Sequence, residues 1–251
     1  MNVMSRVPRG LSLVAGGAVS ARAEYPRAGP TIPRMVDFRT RLCGLGKHWH
    51  LPAPSKPTFS ELFAATPRDG GWIGFLFAQL PADKPLLWVQ ERMAILESGR
   101  IYPPGLSTSD LIHVQARDAR DTLWAMEEGL RCCALSAVIG EIWGDPRALD
   151  FTATRRLAVA SERSQVPCWL IRLSGVPNLS GARMRWRIAS KPSLLNELDP
   201  RSPGASAWDV ELFRARGHPK GTWTVSHDSH PFHLVAKPGD RALGKEQRLR
   251  A

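Results

Sequence analysis

The chain has 251 residues, 43% of them apolar, which suits one substantial core with extensions. No apolar run approaches the length of a membrane span, so an integral membrane protein of the helical kind is excluded. Lys and Arg number 34 against 23 Asp and Glu, a formal net charge of +11.

That excess sits at the ends: nine basic residues against two acids in residues 1–58, and five against two in residues 237–251. The middle is nearly neutral. Basic arms of this kind attract phosphate backbones or acidic surfaces through a salt-sensitive term, or are simply solvated ends. Both readings stand. Cys43, Cys132, Cys133 and Cys168 show neither a CxxC pair nor a disulfide-framework spacing, the usage of a reducing, cytoplasmic compartment. The stretch GLSLVAGGAVSARA has some likeness to a signal peptide. Its apolar run is short, broken by Gly16 and Gly17, and Arg22 sits inside the A-x-A motif, so export is not the expectation.

Residues 1–57 are rich in Pro, Gly and Arg and read as a poorly ordered extension, with one short helix around Met35 to Leu42. The fold is expected over 58–236, and 237–251 is a basic tail. Phe59 to Ala65 reads as the entry strand, followed by the turn TPRDGG. Trp72 to Leu80 (WIGFLFAQL) is continuously apolar, and strand and helix both remain open. Strands follow at Leu86 to Val89 and Leu111 to Val114. A helix spans Asp118 to Arg131, with Ala119, Leu123, Met126 and Leu130 on one face. A third strand is placed at Leu135 to Ile139. Asp150 is a suitable N-cap for a helix through Ala153, Leu157, Ala160 and Ser161, and Trp169 to Leu173 is the next strand.

This alternation predicts an α/β fold with a mostly parallel sheet and right-handed crossovers. From Arg185 to Ala189 onward the pattern changes. Strands at Val210 to Arg214, Trp223 to Ser226 and Phe232 to Ala236 have no long helices between them, so antiparallel strands are expected at the C-terminal edge.

A phosphate-binding loop needs GxxxxGK[ST], in which backbone amides cradle the phosphates, Lys reaches the outer oxygens and the hydroxyl holds Mg²⁺. The segment in that place is Ala65 to Trp72. Gly70 keeps the turn, but Gly71 stands where Lys is needed and Trp72 where Ser or Thr is needed. Glu91 follows one strand and Glu141 ends another, where carboxylates of an intact nucleotidase would orient water and hold a metal. Without the lysine they read better as strand-end acids with no catalytic task.

His227, His230 and His233 recur by threes, but Pro231 opposes the helix that would let them converge on a metal, and no metal site is assigned. Trp88, Trp124, Trp169 and Trp186 read as packing residues. Arg183, Arg185 and Arg187 alternate along a strand with Met184 and Trp186, leaving a basic face that is either solvated or a contact for DNA phosphate or an acidic protein.

The segments LWVQER, GRIYPPGL, DARDTLWAMEEGLR, LSAVIGEIWG, LDFTATRRLAVASERS, ARMRWRIASKPS, WDVELFRARG and GTWTV occur in order over about residues 58–235. This ordered set resembles the RecA-like superfamily and, more closely, its ImuA branch of damage-inducible mutagenesis proteins. The resemblance implies a RecA-like core. It matches Glu91 to a catalytic glutamate, Tyr102 to an adenine-stacking tyrosine and Glu141 to the acid of the Walker B strand. Arg214 and Arg216 match a basic pair that reaches a nucleotide on a neighbouring subunit. The segment between Leu173 and Ala182, where RecA grips DNA, is short.

The resemblance further implies a role in translesion synthesis under SOS control, with ImuB, an error-prone C-family DNA polymerase and RecA as partners. The reading that results is a non-catalytic adaptor with no cofactor. Its rivals are a DNA-stimulated ATPase using Arg68 in place of the lysine, and a DNA-binding protein acting through its basic arms.

Overall fold

A computed structural model describes residues 12–15, 51–80, 84–103, 110–196, 199, 201–227 and 233–236. The short helix expected near Met35, His230 and the tail 237–251 lie outside the described residues. Among the described residues ten strands form one sheet: β1 (Ser12–Ala15), β2 (Phe59–Ala64), β3 (Leu86–Glu91), β4 (Leu111–Ala116), β5 (Ala137–Trp143), β6 (Cys168–Leu173), β7 (Met184–Lys191), β8 (Ser206–Ala215), β9 (Gly221–His227) and β10 (His233–Ala236). The order across the sheet is β1-β4-β3-β5-β6-β2-β7-β8-β9-β10. The six strands from β4 to β7 run parallel, β8 to β10 are added antiparallel at one edge, and β1 pairs antiparallel with β4 at the other. This is the α/β architecture the sequence predicts, with its antiparallel strands at the C-terminal edge.

The helices among the described residues are α1 (Gly71–Phe77), α2 (Arg92–Ser98), α3 (Ala119–Gly129) and α4 (Phe151–Ser164). The central strands are buried on both faces, which is why β3 reads LLWVQE without apolar–polar alternation. Helices α3 and α4 cover one face with Leu123, Met126 and Leu157 against Val89, Val138 and Leu170. Their N-termini are closed by Asp118, which accepts from the Asp121 amide, and by Asp150, which accepts from the Ala153 amide at 2.7 Å. Helices α1 and α2 cover the other face with Trp72, Phe75, Leu76 and Ala94.

The apolar run after Gly70 is a helix. Trp72, Phe75 and Leu76 repeat at helical spacing and are buried, while Gly71 and Gly74 share the side pressed against Trp208 of β8. Helix α2 was not expected: only Ala94 of its seven residues is buried, so its amphipathic signal is weak. Gly99, at φ 91°, ends it in a conformation that disfavours side chains. Strand β5 begins at Ala137 and not at Leu135, because Ser136 is tied to the Pro85 carbonyl in the preceding turn; it continues to Trp143, so Glu141 lies within it.

Candidate functional site

The loop between β2 and α1 occupies the place of a phosphate-binding loop in a strand–loop–helix unit. Its conformation is set by Asp69. One carboxylate oxygen of Asp69 accepts from the Gly71 amide at 2.8 Å and from the Ser190 hydroxyl; the other accepts from the Ser190 amide at 2.8 Å. Burial pushes the Asp69 carboxyl up, but the Ser190 hydroxyl and the two amides outweigh it and hold the group below its usual range.

Gly71 sits against strands β7 and β8. A Cβ there would overlap Ser190 Oγ and come within 2.9 Å of Trp208 Cδ1; at Gly74 it would come within 2.6 Å of Trp208 Cζ2. The position that would carry a phosphate-binding lysine therefore has no room for a side chain. Trp72 is only 4% exposed and points into the core, its ring centroid 6.2 Å from that of Trp88.

Trp88 connects this packing to Glu141. The indole N–H of Trp88 donates to one oxygen of Glu141, and Gln90 Nε2 donates to the other at 3.0 Å. Register explains the contact, since Gln90 of β3 lies opposite Glu141 of β5. Gln90 also accepts from the Ile101 amide and from His113 Nε2, and donates to the Gly99 carbonyl. Burial pushes the Glu141 carboxyl up to about 7, against the pull of its two donors, and pushes the His113 imidazole down, aided by the Arg100 charge.

Glu91, one residue beyond Gln90, projects to the opposite face of the sheet. It accepts from the Trp143 amide at 2.8 Å and lies near Asp118 at the start of α3. Burial raises its pKa, partly offset by the Trp143 amide and reinforced by the Asp118 charge. The structure thus brings Trp72 and Glu141 together through Trp88, and leaves Glu91 behind the sheet. Tyr102 is 72% exposed.

A nucleotide with its Mg²⁺ does not fit these residues. The loop carries a carboxylate on its amide, a glycine with no space at the lysine position and a buried indole at the hydroxyl position. Arg68 is exposed, and its planar head does not mimic a P-loop lysine. Among the described residues there is no group of three His, Cys, Asp or Glu able to hold a metal.

The arginines of β7 fare differently from one another. Arg185 is buried and bonds Glu61 at 2.6 Å and the Asn178 carbonyl at 2.8 Å. Arg183 is partly exposed and forms two hydrogen bonds with Glu162 of α4; Arg187 pairs with Glu211. The basic face read from alternation is therefore one buried arginine flanked by two neutralised ones, because β2, β8 and α4 supply acids beside them. Arg214 and Arg216 are exposed on and just after β8 and belong to no ion pair among the described residues.

Two residues of this charge cluster were not singled out from sequence. Glu61 and Arg172 are wholly buried on adjacent strands, Arg172 also pairing with Asp145. A charged residue inside FSELFA and another inside CWLIRL were the available signal. Arg172 leans over the Phe63 ring, as does Arg185. The cluster also holds the short segment 174–181: the Val176 amide donates to Asp145, Asn178 meets Arg172 and Arg185, and the Ser180 hydroxyl donates to Glu61. On that segment Val176 and Leu179 are each 65% exposed.

Fold and site together define an α/β protein with a mostly parallel sheet, whose β2–α1 loop is tied to β7 through the Asp69 carboxylate. No family model matches the chain. It is similar to Protein ImuA from two strains of Caulobacter vibrioides, 33% identical over 170 residues that span 62% of this chain and 67% of that protein. The chain belongs to the ImuA family. No helix among the described residues is long and apolar enough to cross a membrane.

Proposed function

We propose that the protein is a non-catalytic RecA-like adaptor in damage-induced mutagenesis. It helps assemble a translesion synthesis complex with ImuB and an error-prone C-family DNA polymerase, and it docks on RecA. Family membership supports the mutagenesis setting. The observation that carries the non-catalytic part is the Asp69 carboxylate lying on the Gly71 amide, with Gly71 itself wedged against Ser190 and Trp208. A polyanion approaching that loop meets a negative charge in place of a lysine, and the Coulomb sign is unfavourable.

Turnover of radiolabelled ATP by the full chain, with and without single-stranded DNA, tests this. The expected result is none above background; turnover abolished by Glu91→Gln would establish the ATPase reading instead. For docking, the exposed Arg214 and Arg216 are the proposed contacts to RecA. Capture of RecA and of ImuB by the full chain, with and without nucleotide, should succeed in both conditions. Arg214→Ala/Arg216→Ala should weaken RecA capture, and an unchanged result would remove that pair from the interface.

A further inference from the structure

We propose that Asp69 is an internal substitute for a nucleotide phosphate, a permanent clasp that joins the β2–α1 loop to strand β7 and makes the state of this protein independent of nucleotide. The inference rests on the adaptor reading and says how the fold manages without a ligand. In a loop of this kind, backbone amides converge on an anion, and the bound anion ties the loop to its surroundings. Here the anion is a side chain of the loop itself.

Its two oxygens accept three hydrogen bonds, from the Gly71 amide within the loop and from the amide and hydroxyl of Ser190, 121 residues away on β7. Hydrogen bonds to an ionised acceptor are stronger than neutral ones, and Ser190 gives the carboxylate partners on a second element. The clasp draws α1 onto β7 and β8 so closely that Gly71 and Gly74 contact Ser190 and Trp208 without a side chain between them. The Ala65 amide, bonded to the Ile188 carbonyl at 2.8 Å, anchors the other end of the loop to the same strand. With the loop bound to β7 at both ends, opening it for a ligand would mean losing all of these contacts together.

The full chain and three variants, Asp69→Ala, Ser190→Ala and the double variant, test the clasp by thermal melting with and without millimolar MgATP. Asp69→Ala loses all three bonds and should melt about 5 °C lower. Ser190→Ala keeps both amide bonds and should melt about 2 °C lower. The two shifts should fail to add in the double variant, since they act on one shared contact. Wild type should melt at the same temperature with MgATP as without it.

Melting of Asp69→Ala within 1 °C of wild type, or strict additivity in the double variant, would overturn the clasp while leaving the adaptor reading in place. A rise in wild-type melting on adding MgATP would overturn the substitution for a phosphate and the adaptor reading together. Should Asp69→Ala not fold, the Ser190→Ala shift and the melting of Asp69→Asn, which keeps the shape and removes the charge, decide the same question; no change in either would reject the proposal.

Discussion

The two faces of the sheet are built from different materials. The α3/α4 face is mainly aliphatic, with Phe59 its one fully buried ring in the cluster, under helices of 11 and 14 residues with carboxylate caps. The α1/α2 face has two helices of seven residues and holds Trp72, Trp88, Trp169, Trp186, Trp208 and Trp223 in its buried core. Short helices cover little area, and an indole buries more surface per residue than any aliphatic side chain. The aromatic contacts run on from Trp72 to Trp88 and from Phe75 through Trp186 to Trp223. The face that α1 and α2 cover is the face filled with rings.

The largest expected effect breaks the margin of the aliphatic face, where the buried charges lie. Glu61→Ala leaves Arg172 and Arg185 without their shared acid and should cost about 3–5 kcal/mol in urea unfolding. On the aromatic face, Trp72→Ser restores a P-loop hydroxyl in sequence yet removes a buried indole. It should cost about 3 kcal/mol and confer no ATP affinity in equilibrium dialysis, because Gly71 still has no room for a lysine.

Glu141 offers a pH test of the same face. Its carboxyl is raised from 4.5 to about 7 by burial, so the folded state binds the proton more tightly than the unfolded chain. Its stabilisation is complete below about pH 4.5 and is lost as pH rises through 7, a fall of about 3 kcal/mol by pH 8. Chemical unfolding between pH 5 and 8 should show this slope, and Glu141→Gln should flatten it. A pH-independent wild type would mean that Glu141 ionises freely. The smallest effect belongs to the aliphatic face: Asp150→Ala removes the cap of α4 and should cost about 1 kcal/mol in the same assay.

What the sequence made legible follows from how local each signal is. The α3 period and the Asp150 cap are written within a few residues, and both are found where the pattern places them. Helix α1 was ambiguous as a hydrophobic run, although the spacing of Trp72, Phe75 and Leu76 against Gly71 and Gly74 contained the answer. Helix α2 is too short and too exposed to leave a periodic trace. The site was half legible. The missing lysine and hydroxyl are plain at Gly71 and Trp72, but their replacement by Asp69 depends on Ser190, which no local pattern links to it. The alternation of Arg183, Arg185 and Arg187 is visible in the sequence; that Glu61 and Phe63 lie beneath Arg185 is a property of strand order, set by β2 returning beside β7.

The segment 174–181 carries one more consequence of the charge cluster beneath it. Asp145, Arg172, Arg185 and Glu61 bind it at Val176, Asn178 and Ser180, while Val176 and Leu179 stay in solvent. A molecule that meets these two side chains meets a surface already fixed in shape. Little loop freedom is left to be lost on contact, so whatever recognition occurs there proceeds as a match of rigid bodies, with the ordering completed when the chain folds.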